Sequence, residues 1–155
     1  MKNEAWDELR TKYQEYTSLA GDFLSNEGAV SVVRQKLNSR PEDIIVAIDI
    51  IRRLPGTQRV LFFDQLMLMA SYMSGFTGYC HDLILELPRG WVMENIDRHL
   101  DAILSSGDYD TYNCLLALCE KLDSKLTIQS AQRAQHSTDD DIRDLGSRIL
   151  QEQVM

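Results

Sequence analysis

Cysteine, proline and histidine are scarce in this 155-residue chain, which contains three residues of each type. An odd number of cysteines without a recognisable spacing predicts reduced thiols that pack in a core, rather than a disulfide framework. The histidines form no metal-ligand array, and the sequence has neither a glycine-rich phosphate loop nor a nucleophile elbow. We therefore expect a protein that is not an enzyme, with no catalytic residues, no cofactor and no bound metal.

Long apolar segments are missing as well. The longest uncharged stretch covers residues 65–80, which is too short for a membrane span and contains Gly75 and Gly78. The first residues of the sequence are polar and lack the apolar segment of a secretory signal. These features predict a cytoplasmic protein that does not bind a membrane.

Positive charge is in deficit, because 16 basic residues stand against 24 acidic ones and give a net charge of −8. Nonspecific nucleic-acid binding depends on lysine and arginine that neutralise phosphates, so we expect no nucleic-acid partner. Residues 82–123 hold nine acidic and three basic side chains, whereas residues 34–59 have a net charge of +3. We interpret the basic stretch as solvated faces and helix C-termini. The acidic charge either attracts a basic partner or only keeps the protein soluble.

Apolar residues recur at helical spacing along most of the chain. The first predicted helix carries a stripe at steps of three and four residues, formed by Trp6, Leu9, Tyr13, Tyr16 and Ala20. No alternating strand pattern is apparent outside the stretch DIIVAIDII, which could also form a buried strand.

The stretch SRPEDIIVAIDIIRRLPG carries helix signals at both ends. Ser39 and Glu42 have the spacing of a capping box, and proline and glycine at 55 and 56 would end the helix. We therefore predict a helix here rather than a strand. The next stretch, QRVLFFDQLMLMASYM, is apolar almost all round, which predicts a central helix. We expect Ile48, Phe63 and Leu66 to lie in the core.

The helical segments repeat. Segments end on leucine at Leu19, Leu54, Leu87 and Leu122, at steps of 35, 33 and 35 residues. Each is followed by a break, at Gly21, Pro55–Gly56, Pro88 with Gly90, and Asp123–Ser124, and then by a second helical segment. A period in the mid-thirties made of helix pairs is typical of an α-solenoid, in which stacked pairs share one core.

The stretch TDDDIRDLGSRIL, residues 138–150, resembles a helix of HEAT repeats. An acidic first turn, an Ile-Arg pair, a small residue and a leucine match that pattern at Asp139 or Asp140, Ile142, Arg143, Gly146 and Leu150. We expect Thr138 to cap this helix, the aspartates to favour its positive end, and Gly146 to permit close approach of the next helix.

This resemblance implies an all-α protein. The expected fold is a right-handed α-solenoid of about four HEAT-like helix pairs with a C-terminal capping helix, as one domain over residues 1–155. A plain helical bundle is the alternative. HEAT-like hydroxylases hold iron with His-Glu pairs, but the residues after the three histidines are Asp82, Leu100 and Ser137. HEAT-like DNA glycosylases need a basic groove, which this composition does not favour.

The best organised polar pattern lies in the stretch WVMENIDRHLDAIL and the loop after it. Three carboxylates are spaced along one helical face, with Val92, Ile96, Leu100 and Ile103 on the other, and the loop SSGDYDTY adds two aspartates and a tyrosine. The candidate partner-binding residues are Glu94, Asp97, Asp101, Asp108, Tyr109 and Asp110. The alternative is an ordinary amphipathic helix with a solvated acidic face, followed by a turn.

Small acidic helical-repeat proteins of this length are similar to immunity proteins of bacterial polymorphic toxin and contact-dependent inhibition systems. Such proteins neutralise a cognate toxin domain, often a basic nuclease. The resemblance implies a protein partner, a basic toxin domain, held by carboxylates that take the place of phosphates. The alternative function is a non-catalytic HEAT-like adaptor or scaffold that binds another protein. The sequence leaves the oligomeric state open.

Overall fold

The computed structural model describes residues 2–154, and every regular element within this range is helical, which confirms the all-α prediction. The α-helices are α1 (Lys2–Leu24), α2 (Ala29–Lys36), α3 (Pro41–Arg52), α4 (Gly56–Arg59), α5 (Phe63–Ala70), α6 (Thr77–Leu85), α7 (Arg89–Leu104), α8 (Tyr109–Leu122), α9 (Ser124–Gln135) and α10 (Asp140–Val154). A 3₁₀ turn at Val60–Phe62 joins α4 to α5. Within residues 2–154, no helix combines the length and apolar character that a membrane span requires.

The chain divides into two compact units, Met1–Arg53 and Leu54–Met155. We call them the N-terminal unit, which contains α1 to α3, and the C-terminal unit, which contains α4 to α10. The single repeat domain expected over residues 1–155 stays a prediction.

In the N-terminal unit, α1 is longer than the repeat pattern predicted. The expected break at Gly21 is wrong, because α1 continues to Leu24. A single glycine weakens a helix by only about 1 kcal/mol, and here no proline or capping signal accompanies it. Leu19 therefore lies within α1 and is 66% exposed, instead of ending a buried segment.

The stretch that could have formed a strand is the helix α3, as predicted. Its start differs from the predicted capping box, since the residue before the helix is Arg40, in an extended conformation and without a side-chain cap. Pro41 occupies the first helical position and disfavours a helical conformation in the residue before it, which fixes the boundary at Arg40. Ser39 Oγ instead donates to Asp43 Oδ2 at 2.8 Å.

The other three predicted breaks are confirmed. The helices are interrupted between α3 and α4, between α6 and α7, and at Asp123 between α8 and α9. Of the residues named for these breaks, Gly56, Gly90 and Ser124 themselves belong to α4, α7 and α9. Leu54, Leu87 and Leu122 are buried at these helix ends. Three of the four repeating leucines are therefore buried at or just after the end of a helix.

The apolar stretch after Pro55 forms no single helix, because the 3₁₀ turn interrupts it at Val60–Phe62. Phe62 and Phe63 are both buried, although adjacent residues on a regular α-helix point about 100° apart. The change in helix type accompanies the burial of both rings. Leu66 and Phe63 lie in the core of the C-terminal unit and Ile48 in that of the N-terminal unit, as predicted.

Helix α8 is the centre of the C-terminal unit, where it contacts α5, α6, α7, α9 and α10. Its residues Leu115, Leu116, Leu118 and Cys119 are buried. Consecutive helices pack against each other in the pairs α5–α6, α8–α9 and α9–α10. The core is therefore built around a helix near the end of the chain.

Helices α9 and α10 approach each other closely. A Cβ atom added at Gly146 would lie 2.6 Å from the main-chain oxygen of Ala131 and 2.8 Å from Cβ of Ala134. The close approach predicted for Gly146 is confirmed, but its neighbour is the preceding helix, α9. This contact lets the polar helix α9 bury a face of small residues, namely Thr127, Ser130, Ala131 and Ala134.

The cap predicted for the last helix is wrong in its residue. Asp139 Oδ1 accepts hydrogen bonds from the main-chain nitrogens of Asp141 at 2.8 Å and Ile142 at 3.2 Å. Because α10 begins at Asp140, Asp139 is the residue directly before the helix, and Thr138 is one position too early.

Candidate partner-binding surface

Helix α7 has the two faces that its sequence predicts. Val92, Ile96 and Leu100 are buried, and Leu104 completes this apolar face, whereas Ile103 is only half-buried. The three carboxylates on the opposite side are exposed, and we call them the acidic face: Glu94, Asp97 and Asp101.

The acidic face borders a groove of about 510 Å³ between α7 and α9. Its lining consists of Asp97, Leu100, Asp101, Leu104, Leu126, Gln129, Ser130, Gln132, Arg133 and His136. The leucines are buried and form an apolar floor, whereas the carboxylates and glutamines at the edges are exposed. A partner side chain could thus meet both apolar surface and charge.

One carboxylate of the acidic face, that of Asp101, already forms a salt bridge with an arginine of α9. Arg133 Nη1 donates to Asp101 Oδ1 at 2.5 Å, and its Nη2 lies 3.4 Å from the main-chain oxygen of Asp101. Asp101 is well exposed, so this pair stabilises the fold by no more than about 1 kcal/mol. Its effect is to place Arg133 across the groove, while Glu94 and Asp97 face solvent.

The loop residues of the candidate set have different environments. Asp108 is exposed but caps α8, since its Oδ1 accepts from the main-chain nitrogen and from Oγ1 of Thr111, both at 3.0 Å. These hydrogen bonds, the main-chain one first, lower the pKa of Asp108. Asp108 therefore has a structural role that the sequence analysis did not assign.

Tyr109 borders a second groove rather than the first. This groove, of about 420 Å³, is lined by Tyr109 and by residues of α10, namely Asp141, Asp144, Leu145 and Arg148. The structure thus brings Asp97 and Asp101 together in one groove and Tyr109 to another. Glu94 and Asp110 are exposed on α7 and α8.

Sequence reasoning missed the contribution of α9. Gln132 and Arg133 each lie three or four residues from both Gln129 and His136, which places the four residues on one helical face. This spacing was a usable signal. The spacing alone does not show that this face of α9 lies beside α7.

The cysteines are core residues, as predicted. Cys80, Cys114 and Cys119 are free and buried. Burial raises the pKa of Cys80 and of Cys119 to about 12, and it also raises the pKa of Cys114. A thiol with such a pKa stays protonated near neutral pH and is a poor nucleophile.

Two histidines have packing roles. His81 is buried and its Nε2 donates to the main-chain oxygen of Ala70 at 3.2 Å. His99 meets the ring of Phe63 edge to face, with 5.0 Å between the ring centres. Burial is the largest effect on both imidazoles and lowers the pKa of each. Within residues 2–154, no group of three potential metal ligands is present.

The basic stretch has the placement expected for helix C-termini. Arg34 and Lys36 lie in the last turn of α2, Arg52 in that of α3, and Arg59 in that of α4. Lys36 and Arg59 also form ion pairs, Lys36 Nζ at 3.6 Å from Asp43 Oδ2 and Arg59 Nη1 at 3.7 Å from Glu86 Oε2. The interpretation as helix C-termini is confirmed for these four residues, whereas Arg40 directly precedes the N-terminus of α3.

A polar cluster joins α1 to the end of α3. Tyr16 Oη donates to Asp49 Oδ2 at 2.6 Å, and Arg53 Nε donates to the same oxygen at 3.1 Å. The Arg53 guanidinium lies 5.1 Å from the centre of the Tyr16 ring. Burial acts to raise the pKa of Asp49, but the hydrogen bonds from Tyr16 and Arg53 outweigh it and lower the pKa. Arg53 therefore belongs to the structure of the N-terminal unit.

Comparisons of the chain with models of protein families, with curated proteins and with solved structures found no match.

Proposed function

We propose that this chain is an immunity protein that binds and neutralises a cognate bacterial toxin domain, such as a basic nuclease, in the cytoplasm. The observation that carries the proposal is the acidic face of α7, which lies exposed beside an apolar-floored groove. The proposal assigns no catalytic residue, cofactor or metal to the chain.

The charge distribution supports the C-terminal unit as the binding unit. Residues 54–155 contain 15 acidic and 8 basic residues, a net charge of −7, whereas residues 1–53 contain 9 acidic and 8 basic residues, a net charge of −1. A negative field of this kind accelerates the encounter with a basic partner. A nuclease cleft is built to hold phosphates, and carboxylates can occupy the same positions.

The groove offers a specific contact for a cationic side chain. A lysine or arginine of the toxin would lay its apolar stem on Leu100 and Leu104 and bring its charge to Asp97. Asp101 is already paired with Arg133, so the proposal assigns the main attraction to Asp97 and Glu94.

The proposed architecture is a HEAT-like solenoid with α10 as its capping helix, rather than a plain bundle. Three polar links support it: Tyr16 with Asp49, Arg89 with Asp123, and Asp101 with Arg133. These partners are 33, 34 and 32 residues apart, which is close to one period of the repeat. Such spacing is expected when each helix contacts its equivalent in the next pair of the same unit.

The first experiment identifies the toxin. The reading frame directly upstream of this chain's gene is expressed in a bacterial host, alone and together with this chain. The immunity proposal expects growth arrest in the first case, growth in the second, and a complex that elutes as one species. Normal growth without this chain, or arrest that this chain does not relieve, would overturn the proposal.

The second experiment tests the acidic face with the toxin so identified. Glu94→Lys with Asp97→Lys replaces attraction by repulsion, so affinity should fall by at least about tenfold, and more strongly at low salt. Both residues are exposed, and the circular dichroism spectrum should be unchanged. Asp101 is kept because it holds Arg133.

The matched control is Glu8→Lys with Glu27→Lys, which makes the same charge change at exposed positions of the N-terminal unit. Affinity should then change by less than about threefold, because the proposal places the contact in the C-terminal unit and exposed charges outside a contact are screened at physiological salt. A larger loss in this control than in the test pair would place the binding surface in the N-terminal unit.

An adaptor function is the second candidate, and exposed aromatic residues on α1 favour it, because the acidic face does not use them. An adaptor would bind its partners with dissociation constants near the micromolar range. An immunity protein would bind one toxin at about nanomolar or tighter, a difference of roughly 4 kcal/mol.

A further inference from the structure

The first half of α1 carries large apolar side chains that face solvent. Trp6, Leu9 and Tyr13 are 62%, 60% and 62% exposed. Single exposed apolar residues are normal, but three in a row along one helical face form a patch. Tryptophan and tyrosine are also the residue types that contribute most to binding energy at protein interfaces.

This patch belongs to a longer regular stripe. Trp6, Leu9, Tyr13, Tyr16, Ala20 and Phe23 follow one another at steps of three, four, three, four and three residues. This is the spacing of the a and d positions of a coiled coil, with Trp6 at a and Leu9 at d. The spacing suits contact with another helix along the whole stripe.

The second half of the stripe is already in use. Ala20 is buried, and Tyr16 is half-buried with its hydroxyl hydrogen bonded to Asp49 of α3. The side chains of the stripe are thus packed from Tyr16 onward and mostly exposed from Trp6 to Tyr13. Apolar and aromatic residues follow the same spacing in both halves.

The charges on α1 are sorted around the stripe. With Trp6 at position a, the exposed half of the stripe has two charged residues at the flanking positions. They are Arg10 at e and Lys12 at g. The acidic residues are at the outer positions b, c and f: Glu4, Asp7, Glu8 and Glu15. The sides of the stripe are therefore basic, although α1 as a whole is not.

We propose that the exposed half of the α1 stripe, Trp6 to Tyr13, binds one amphipathic helix of another protein, and that this helix carries acidic residues beside its apolar stripe. The acids would pair with Arg10 and Lys12, which now make exposed pairs with Asp7 at 3.0 Å and Glu15 at 3.4 Å. A second copy of this chain fits less well, since it would bring two sets of the same cations to one seam.

This docking site is separate from the proposed toxin surface, because it lies in the other unit and selects a partner of the opposite charge. Its test therefore needs no toxin. The probes are two synthetic three-heptad peptides with isoleucine at a and leucine at d. One peptide has glutamate at every e and g position, and the other has lysine there.

The readout is the fluorescence of Trp6. The full chain with Trp91→Phe leaves Trp6 as the single tryptophan, since the sequence contains two. Binding of the glutamate peptide should shift the emission to shorter wavelength, because an exposed indole becomes covered. The lysine peptide should bind at least about tenfold more weakly.

Matched variants locate the contact. Leu9→Glu places a charge in the stripe and should weaken binding of the glutamate peptide by at least about tenfold, whereas Gln14→Glu places the same charge at an outer position and should change it less than about threefold. Both positions are exposed, so the helical spectrum should be unchanged.

Three results would overturn the proposal. If neither peptide shifted the emission, the stripe would have no helix-binding activity. If both peptides bound equally, the cations beside the stripe would not select the partner. If the chain alone formed a dimer that Leu9→Glu dissociates, the occupant of the stripe would be a second copy.

Discussion

The two units differ in how they cover their apolar residues. In the N-terminal unit, α1 has 23 residues and α3, to which Tyr16 of α1 is hydrogen bonded, has 12. At 1.5 Å per residue these helices are about 35 Å and about 18 Å long, so a large part of α1 exceeds the length of α3. In the C-terminal unit, α8 contacts five other helices and all its leucines are buried. An apolar stripe thus shows which face of a helix can be covered, but the neighbouring helices decide how much of it is covered.

The net charge is concentrated in the C-terminal unit, whereas the exposed apolar stripe is in the N-terminal unit. The C-terminal unit contains most of the fully buried apolar side chains and also nearly all of the net charge, −7 against −1. Its binding surface is expected to be polar, whereas that of the N-terminal unit is apolar with basic sides.

The largest effect is expected from a core leucine of the C-terminal unit. Leu66 is fully buried, and Leu66→Ala should lower the free energy of unfolding by about 2–5 kcal/mol because it leaves a cavity. Leu68→Ala in the same helix and Leu9→Ala in the N-terminal unit remove exposed side chains and should each change it by less than about 1 kcal/mol. Urea titration followed by circular dichroism measures all three. A neutral Leu66→Ala would contradict the described core.

The same substitution at two glycines should have opposite signs in the two units. A Cβ at Gly146 would meet the backbone of α9 at 2.6 Å, so Gly146→Ala should destabilise by about 1–3 kcal/mol. Gly21 lies inside α1 with no atom within 4 Å of such a Cβ, and Gly21→Ala should stabilise by about 0.5–1 kcal/mol. Thermal unfolding of both variants tests this. Equal effects would show that the close contact between α9 and α10 is absent.

The smallest effect is a response to mild acid that is confined to the C-terminal unit. All three histidines lie there, and burial lowers the pKa of His81 and His99. The unfolded chain takes up protons near pH 6.5, whereas the folded unit does so only at lower pH. This contribution to stability is therefore complete above pH 6.5 and is lost as pH falls through the folded pKa values.

Hydrogen exchange at pH 7.5 and pH 5.5, corrected for the intrinsic exchange rate, measures this response separately in each unit. Protection of α6 and α7 should fall at the lower pH, while that of α1 to α3 should not. The double variant His81→Gln with His99→Gln should remove the difference. Asp82 and Lys121 act on His81 in opposite directions, as do Asp64 and Arg98 on His99, so burial dominates. An equal loss of protection in both units would contradict this assignment.

The candidate site was partly predictable from the sequence. The acidic face followed from helical spacing, because residues three or four apart share a face whatever surrounds the helix. The contribution of Arg133 was not predictable, since it depends on α9 lying beside α7. The separation of Tyr109 from Asp97 depends in the same way on α10, which forms the other groove with α8.

The sequence by itself determined that the chain is helical, that helices are interrupted near Pro55, Pro88 and Asp123, and that Phe63, Leu66 and the cysteines are buried. These properties follow from local spacing, from proline and from hydrophobicity, which act within a few turns of the chain. Tertiary structure decided that the helix against which Gly146 lies is the preceding one, α9. It also decided that Trp6 and Tyr13 remain exposed on a stripe whose continuation is packed. The physical reason is that coverage of a helical face depends on helices distant in the sequence, and the periodicity of a single helix carries no information about their length or position.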